Sequence, residues 1–295
     1  MDDWQERITH ETAPAIRVEH DVRYAAAAPL ILDSAVWIDL GCGSGVSAAA
    51  ALGGRFTGQA ILVDVEESAV EKATAELGLR DAVGITADLS NDDGVQRVRD
   101  ALRDAPAGPR VATCFETIEH LERFVPLVDA LVELADGDDL TVALSVPNDA
   151  HWSIENPYHV TAWGEGAFEE LRGLLPPDHR VARQVPLTGS ALVLDETGRY
   201  ELPVEVSSQR VPSHFLAAFG PRAARFIPTA AVEATDLEAE RRWQRERDSY
   251  LVVLEARAAE LKQIADDPIQ RLNEFRTYIH ELEERLGIER SGSTA

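Results

Sequence analysis

The chain has two cysteines, Cys42 and Cys114, in 295 residues, and both stand in apolar surroundings. That excludes a disulfide framework and a thiolate zinc cluster. Long apolar runs are missing as well. None approaches the roughly 20 residues that a membrane-spanning helix requires. Positive charge is scarce: 52 acidic residues against 28 basic ones leave a formal charge of −24. A duplex-binding protein carries a basic footprint to neutralise phosphates, and none is visible, so DNA is excluded as a partner. Lysine is limited to Lys72 and Lys262, the other bases being arginine, which reads as codon bias rather than mechanism. The opening MDDWQERITHE is acidic and polar, unlike the cationic start of a secretory signal, and a reducing cytoplasm is the expected address.

What is present is ordinary globular composition, 45% hydrophobic and 27% charged, enough to bury a sizeable core. After a helical lead-in over 1–32, apolar runs alternate with helix-like segments. AVWIDL (35–40), QAILVDV (59–65), VGITADL (83–89), RVATCFE (110–116) and DLTVALSVPN (139–148) read as strands. EESAVEKATAELG (66–78) and NDDGVQRVRDALRDA (91–105) read as helices, the second with Asn91 or Asp92 as its cap. TIEHLERFVPLVDALVELA reads as a further helical stretch. Strands that alternate with helices predict parallel βαβ units in a doubly wound sheet. RVARQVPL (180–187) and SHFLAAFG (213–220) are two more strand-like runs that bring the count to seven. The segment between them, 188–212, reads as an excursion near the acceptor site.

From residue 231 to 288 the pattern is helical. Leu272, Phe275, Ile279, Leu282 and Leu286 step by 3, 4, 3 and 4 along the chain, a short heptad seam. It suits either a helix packed on its own domain or an arm for a homodimer. The tail, 289–295, reads as disordered. Residues 1–230 are thus expected to form one domain.

The first strand ends in Asp39-Leu40-Gly41-Cys42-Gly43-Ser44-Gly45. Glycines there let backbone N–H groups approach a nucleotide. An acid just before them would repel a pyrophosphate, but it suits a ligand with a cationic amino group. Asp64 ends the next strand, where a carboxylate takes two ribose hydroxyls. Asp88-Leu89 ends the third, placed to meet an adenine amino group. Three such acids fit S-adenosylmethionine, which is cationic and has no phosphate.

On VWIDLGCGSG, ILVDVEESAVEKA, ITADL, FETIEHL and SVPN, the chain resembles the class I S-adenosylmethionine-dependent methyltransferases over roughly residues 19–187. The resemblance implies an α/β fold with a mostly parallel, seven-stranded Rossmann-like sheet. It implies a cofactor held by Tyr24, Asp39, Gly41, Cys42, Gly43, Gly45, Asp64, Val65, Asp88, Leu89 and Phe115, with Tyr24 as a lid. In detail the chain resembles the subgroup found beside glycosyltransferases in surface-polysaccharide clusters. It shares that subgroup's lead-in (Glu19, His20, Arg23, Tyr24), the FETIEHL element and the segment Asn156-Pro157-Tyr158-His159-Val160. The weak likeness after residue 190 and the helical C-terminus depart from it. A carbohydrate acceptor is the implied partner.

Methylating a sugar hydroxyl calls for a general base or a metal, because the hydroxyl's pKa is far above neutrality. Glu116, Glu119 and His120 stand at i, i+3 and i+4 at the carboxyl end of the fourth strand, and a helix from Glu116 would set them on one face. His159 lies on the loop after the fifth strand. The set is similar to that of the metal-dependent small-RNA 3′-terminal 2′-O-methyltransferases. By that resemblance Glu116, Glu119, His120 and His159 would hold Mg²⁺ or Mn²⁺. His120 as a metal-free base, with Glu116 and His159 assisting, and a purely structural role stand beside it. His20 is also within reach of the site. For His151 and His214, packing or surface roles are expected. Trp152, Tyr158 and Trp163 flank the site, as sugar-stacking faces or as core. The lead function is sugar O-methylation. RNA-end methylation, disfavoured by the charge, and methylation of a small phenolic or quinone-like metabolite are the alternatives. A cofactor-binding scaffold without turnover is a fourth reading.

Overall fold

The computed structural model describes residues 7–137, 139–152, 156, 158–186 and 211–226, together with 257, 262, 272–273 and 275–281. The chain divides into two compact units, Met1–Thr235 and Asp236–Ala295.

The first unit runs α1 (Pro14–Leu32), β1 (Val36–Leu40), α2 (Val46–Leu52), β2 (Gln59–Asp64), α3 (Glu67–Leu77), β3 (Ala82–Thr86), α4 (Asp92–Asp104) and β4 (Arg110–Phe115). A 3₁₀ turn (Ile118–His120) then leads to α5 (Val125–Gly137), β5 (Leu140–Pro147), α6 (Asp149–Trp152), α7 (Glu165–Arg172), β6 (Arg180–Gln184) and β7 (His214–Phe219). The strands form one seven-stranded sheet in the order β3-β2-β1-β4-β5-β7-β6. β1 to β5 pair in parallel, and β7 is antiparallel to both β5 and β6. The fold is the expected Rossmann-like α/β sheet, doubly wound and mostly parallel.

The central strands are buried at every position because helices cover both faces. Alternation divides their side chains between two cores. Val36, Ile38 and Leu40 join Val95, Val98 and Leu102 of α4 and Leu127 and Leu131 of α5 on one face. Trp37, Val111 and Phe115 join Leu30 and Ile31 of α1, Leu52 of α2 and Ala73 of α3 on the other. The cap of α4 is Asn91, whose side chain accepts from the Gly94 N–H at 2.9 Å.

One helix departs from the sequence reading. The stretch after β4 does not run helical from Glu116. It makes one 3₁₀ turn, breaks, and starts α5 at Val125. Pro126 explains the break, because a proline fits only the first turn of a helix. Glu116 itself sits at φ 51°, the one described non-glycine residue in the left-handed region.

The 188–212 excursion lies outside the described residues except at Val211 and Pro212, as does most of the C-terminal extension. Leu272, Phe275 and Ile279 lie exposed on the described helical residues there, and Leu282, Leu286 and the tail fall outside them. Among the described residues, no helix is long and apolar enough to cross a membrane.

Candidate active site

The strand order reverses direction between β1 and β4, and in open α/β sheets the crevice at such a switch point receives the ligand. Here it is a cavity of about 660 Å³, within the range of small-molecule sites. The glycine loop after β1 lines one side and the Glu116–His120 segment after β4 the other. The two are locked together. Thr117 Oγ1 donates to the Leu40 carbonyl at 2.9 Å, and a Cβ on Gly41 would lie 2.3 Å from that same Oγ1. Gly45, at φ 76°, has its missing Cβ 2.9 Å from Ala73 Cα, so α3 packs directly on the loop. Gly43 differs: among the described residues nothing lies within 4 Å of its missing Cβ. Its open edge forms a cradle that a side chain would fill.

The acids are used unequally. Asp64 lines the cavity and holds the loop by accepting from the Gly43 N–H at 3.0 Å. Asp88 also lines it, with its oxygens taken by Ser90 and Asn91, and the Ser90 hydrogen bonds hold its carboxyl below the usual range. Gly41, Cys42, Gly43, Gly45, Val65, Leu89, Phe115 and Tyr24 line the cavity too.

Asp39 does not. It is buried beneath Tyr24, whose hydroxyl donates to it at 2.9 Å, and Thr113 Oγ1 donates at 2.6 Å. Burial pushes its carboxyl up to about 7, against the pull of those two hydrogen bonds. Tyr24 is therefore a buttress on Asp39 as well as cavity wall. Both cysteine thiols are pushed up by burial, which leaves them unreactive.

On the far wall, Glu119, His120 and His159 converge, with one potential ligand atom from each lying within 4.8 Å of the others. Two backbone bonds bring the His159 loop there: the Val160 and Thr161 N–H groups donate to the Glu119 carbonyl at 2.8 and 3.2 Å. His120 Nδ1 is 3.1 Å from the Tyr158 carbonyl, and its Nε2 faces Glu119 Oε1 at 4.0 Å. His159 Nδ1 is 3.0 Å from Asp149 Oδ1. A second partner on the other ring nitrogen is typical of a metal-ligating imidazole, and His120 has one. His159 Nε2 lies 2.9 Å from Asn156 Nδ2, a contact that a cation bound there would replace. Glu119 is fully buried, and neither of its carboxylate oxygens has a hydrogen-bond partner among the described residues. Burial, and Glu116 next to it, push its carboxyl well above the usual range. A bound divalent cation would relieve that deficit.

Glu116 does not join this trio. Its Oε1 accepts from Ser145 Oγ at 2.7 Å, and its Oε2 lies 3.1 Å from His214 Nε2. Burial alone would raise its carboxyl, but His214, Arg23 and His20 around it hold it well below the usual range. His20 also lines the cavity, and its desolvated position, with Arg23 beside it, lowers its pKa. His214 is buried, in keeping with the expected packing role, but its contact with Glu116 is one that sequence reasoning missed. It starts β7 and is buried, so its apolar strand context masks its contact with the site. Of the flanking aromatics, Tyr158 lines the cavity. Trp163 is core, packed on Phe124 at 5.5 Å. The Trp152 side chain lies outside the described residues.

The family described as Methyltransferase domain matches residues 15–203. Among solved structures, the chain is similar to the methyltransferase domain of a bacterial Hen1, CtHen1-CN. That match has 20% identity, covers 70% of this chain and 100% of that one, and has a TM-score of 0.47. It is also similar to the plantazolicin methyltransferase BpumL in complex with SAH, at 14% identity over 70% of this chain and 83% of that one, TM-score 0.41. A third is the Pnkp1/Rnl/Hen1 RNA repair complex, at 11% identity over 69% of this chain and 42% of that one, TM-score 0.45. No curated protein matches the chain.

Proposed function

The chain belongs to the methyltransferase-domain family, and from that premise we propose that it transfers the methyl group of S-adenosylmethionine to a sugar hydroxyl, assisted by Mg²⁺ or Mn²⁺. The observation that carries this reading is the buried carboxylate of Glu119, without a hydrogen-bond partner among the described residues and set beside His120 and His159 in the same cavity as the glycine loop.

In this reading Asp64 takes the ribose hydroxyls, the open edge of Gly43 admits the donor, and Asp88 and Leu89 face the adenine. The sulfonium of the donor supplies the electrophilic methyl, so the protein's task is to align an oxygen nucleophile and ease its proton away. Glu119, His120 and His159 would hold a divalent ion, which would supply Lewis acidity toward a hydroxyl that ionises poorly. Glu116, kept ionised at the cavity wall, adds negative charge on that side while His214 and Ser145 hold its oxygens. Asp149 fixes the orientation of the His159 ring. Overall a C–O bond forms, the C–S bond breaks, and the hydroxyl proton leaves to solvent.

The carbohydrate acceptor rests on the sequence resemblance to the polysaccharide-associated subgroup. The charge of −24 supports an acceptor without a phosphate backbone. The test is transfer of labelled methyl to a panel of oligosaccharides, with EDTA and with Mg²⁺ or Mn²⁺ restored. Transfer abolished by EDTA and rescued by metal is the expected result. EDTA-resistant transfer removes the metal and leaves His120 as the base. Transfer only to phenolic metabolites or to RNA ends removes the sugar acceptor.

A further inference from the structure

Residues 7–12 do not pass the cavity by. Arg7 and Ile8 line it. Arg7 Nη2 lies 2.9 Å from Asp64 Oδ1, with the two side chains 15% and 7% exposed. The Glu66 N–H donates to that oxygen at 3.1 Å, and the Gly43 N–H donates to the other at 3.0 Å. A carboxylate offers about four lone-pair sites. Two backbone donors and a guanidinium leave too few for the paired hydrogen bonds of a ribose diol.

The segment is fastened at two more points. Ser44 Oγ of the glycine loop donates to the Ile8 carbonyl. His10 Nε2 lies 3.0 Å from both carboxylate oxygens of Glu76 on α3. A turn in which Thr9 N–H donates to Thr12 Oγ1 at 2.9 Å and Thr12 N–H donates to the Thr9 carbonyl at 3.1 Å makes it compact. The strap thus runs from Asp64 in the cavity, past Ser44 of the glycine loop, to Glu76 of α3.

We propose that residues 7–12 are a latch on the donor pocket, in which Arg7 occupies on Asp64 the position that the donor's ribose hydroxyls require, so that donor entry displaces the strap. This rests on the S-adenosylmethionine reading of the cavity and adds a regulatory element to it. Apparent affinity is intrinsic affinity reduced by the fraction of open molecules. A strap closed for about nine-tenths of the time lowers donor affinity about tenfold. Anything that draws the N-terminal segment away would raise donor occupancy without touching the catalytic wall.

Calorimetric titration of the full-length protein with S-adenosylhomocysteine tests this. That ligand lacks the sulfonium charge, so removing a nearby cation does not by itself favour it. Arg7→Ala is expected to bind it roughly tenfold more tightly than wild type, and Glu76→Gln, which leaves the cavity wall intact, about threefold more tightly. Equal or weaker binding by Arg7→Ala overturns the latch, and weaker binding would make Arg7 a clasp on the bound donor instead. If neither wild type nor either variant binds the ligand, the S-adenosylmethionine reading of the cavity falls, and the latch with it.

Discussion

His214 Nε2 lies 3.1 Å from Glu116 Oε2, joining the first residue of β7 to the residue that follows β4. Glu19 Oε2 and Ser213 Oγ stand on the other side of the imidazole, 3.6 and 3.0 Å from Nδ1. This pairing accounts for Glu116 remaining ionised in a desolvated position. Glu116 and Glu119 are divided by it into one carboxylate that is stabilised and one that is not.

His214→Gln removes a source of that stabilisation. Glu116 has a folded-state pKa below its ordinary value, so its contribution to stability is present above that ordinary value and is lost as pH falls through the folded one. In the variant the folded pKa moves up, and acid unfolding followed by circular dichroism should start at a higher pH than in wild type. Near neutrality the loss should be roughly 1–3 kcal/mol. Identical acid transitions for both proteins would mean that His214 does not govern Glu116.

Much of this architecture was legible in the sequence, for identifiable reasons. Strands buried on both faces must be continuous apolar runs, so β1, β2, β4 and β5 were found to within about two residues. Helix signals failed where one proline outweighed periodicity, at Pro126. That the glycine loop, Asp64 and Asp88 would share one cavity was legible because glycine and aspartate spacing is local. His214 and Arg7 were not, because each meets its partner only through tertiary folding. Asp39 was found as a motif residue, but nothing local signals that Tyr24 and Thr113 would bury it behind the cavity wall and hydrogen-bond to it.

Asp39 gives a second test. Its folded pKa of about 7 lies above the ordinary 3.8, so the native state holds a proton that the unfolded chain releases. The stability from that proton is complete below the ordinary value and is lost as pH rises to about 7. Wild type should melt roughly 5 °C lower at pH 8 than at pH 5 from this group, and Asp39→Asn should flatten that part of the dependence. Tyr24→Phe, which removes a hydrogen bond to the charged form, should push the pKa higher and steepen the dependence above pH 7. An unchanged pH profile in Asp39→Asn would reject the assignment.

The loop glycines should separate stability from binding. Gly45→Ala drives a methyl into the Ala73 backbone and forces an unfavourable φ of 76°, and should cost several kcal/mol or yield no folded protein. Gly43→Ala meets open space, so its penalty is about 1–2 kcal/mol from its left-handed backbone alone. It should fold, yet lose at least roughly tenfold in affinity for S-adenosylhomocysteine, because the methyl fills the cradle. Undiminished affinity in Gly43→Ala would remove that edge from the donor site.

Glu119 offers a test that does not depend on knowing the acceptor. Its buried carboxylate has no hydrogen-bond partner among the described residues, a cost to the metal-free fold of about 1–3 kcal/mol. Glu119→Met keeps the volume and removes that cost, so in EDTA the variant should melt several degrees above wild type. Added Mn²⁺ or Mg²⁺ should reverse the order. Wild type should gain stability with metal concentration as a ligand binding only the native state does, while Glu119→Met stays flat. Methyl transfer should disappear in the variant even though its fold is firmer, the pattern expected when a site retains strain for function. A variant less stable than wild type in EDTA would mean that Glu119 already has a stabilising partner in the metal-free protein, and the case for a cation at Glu119, His120 and His159 would lose its foundation.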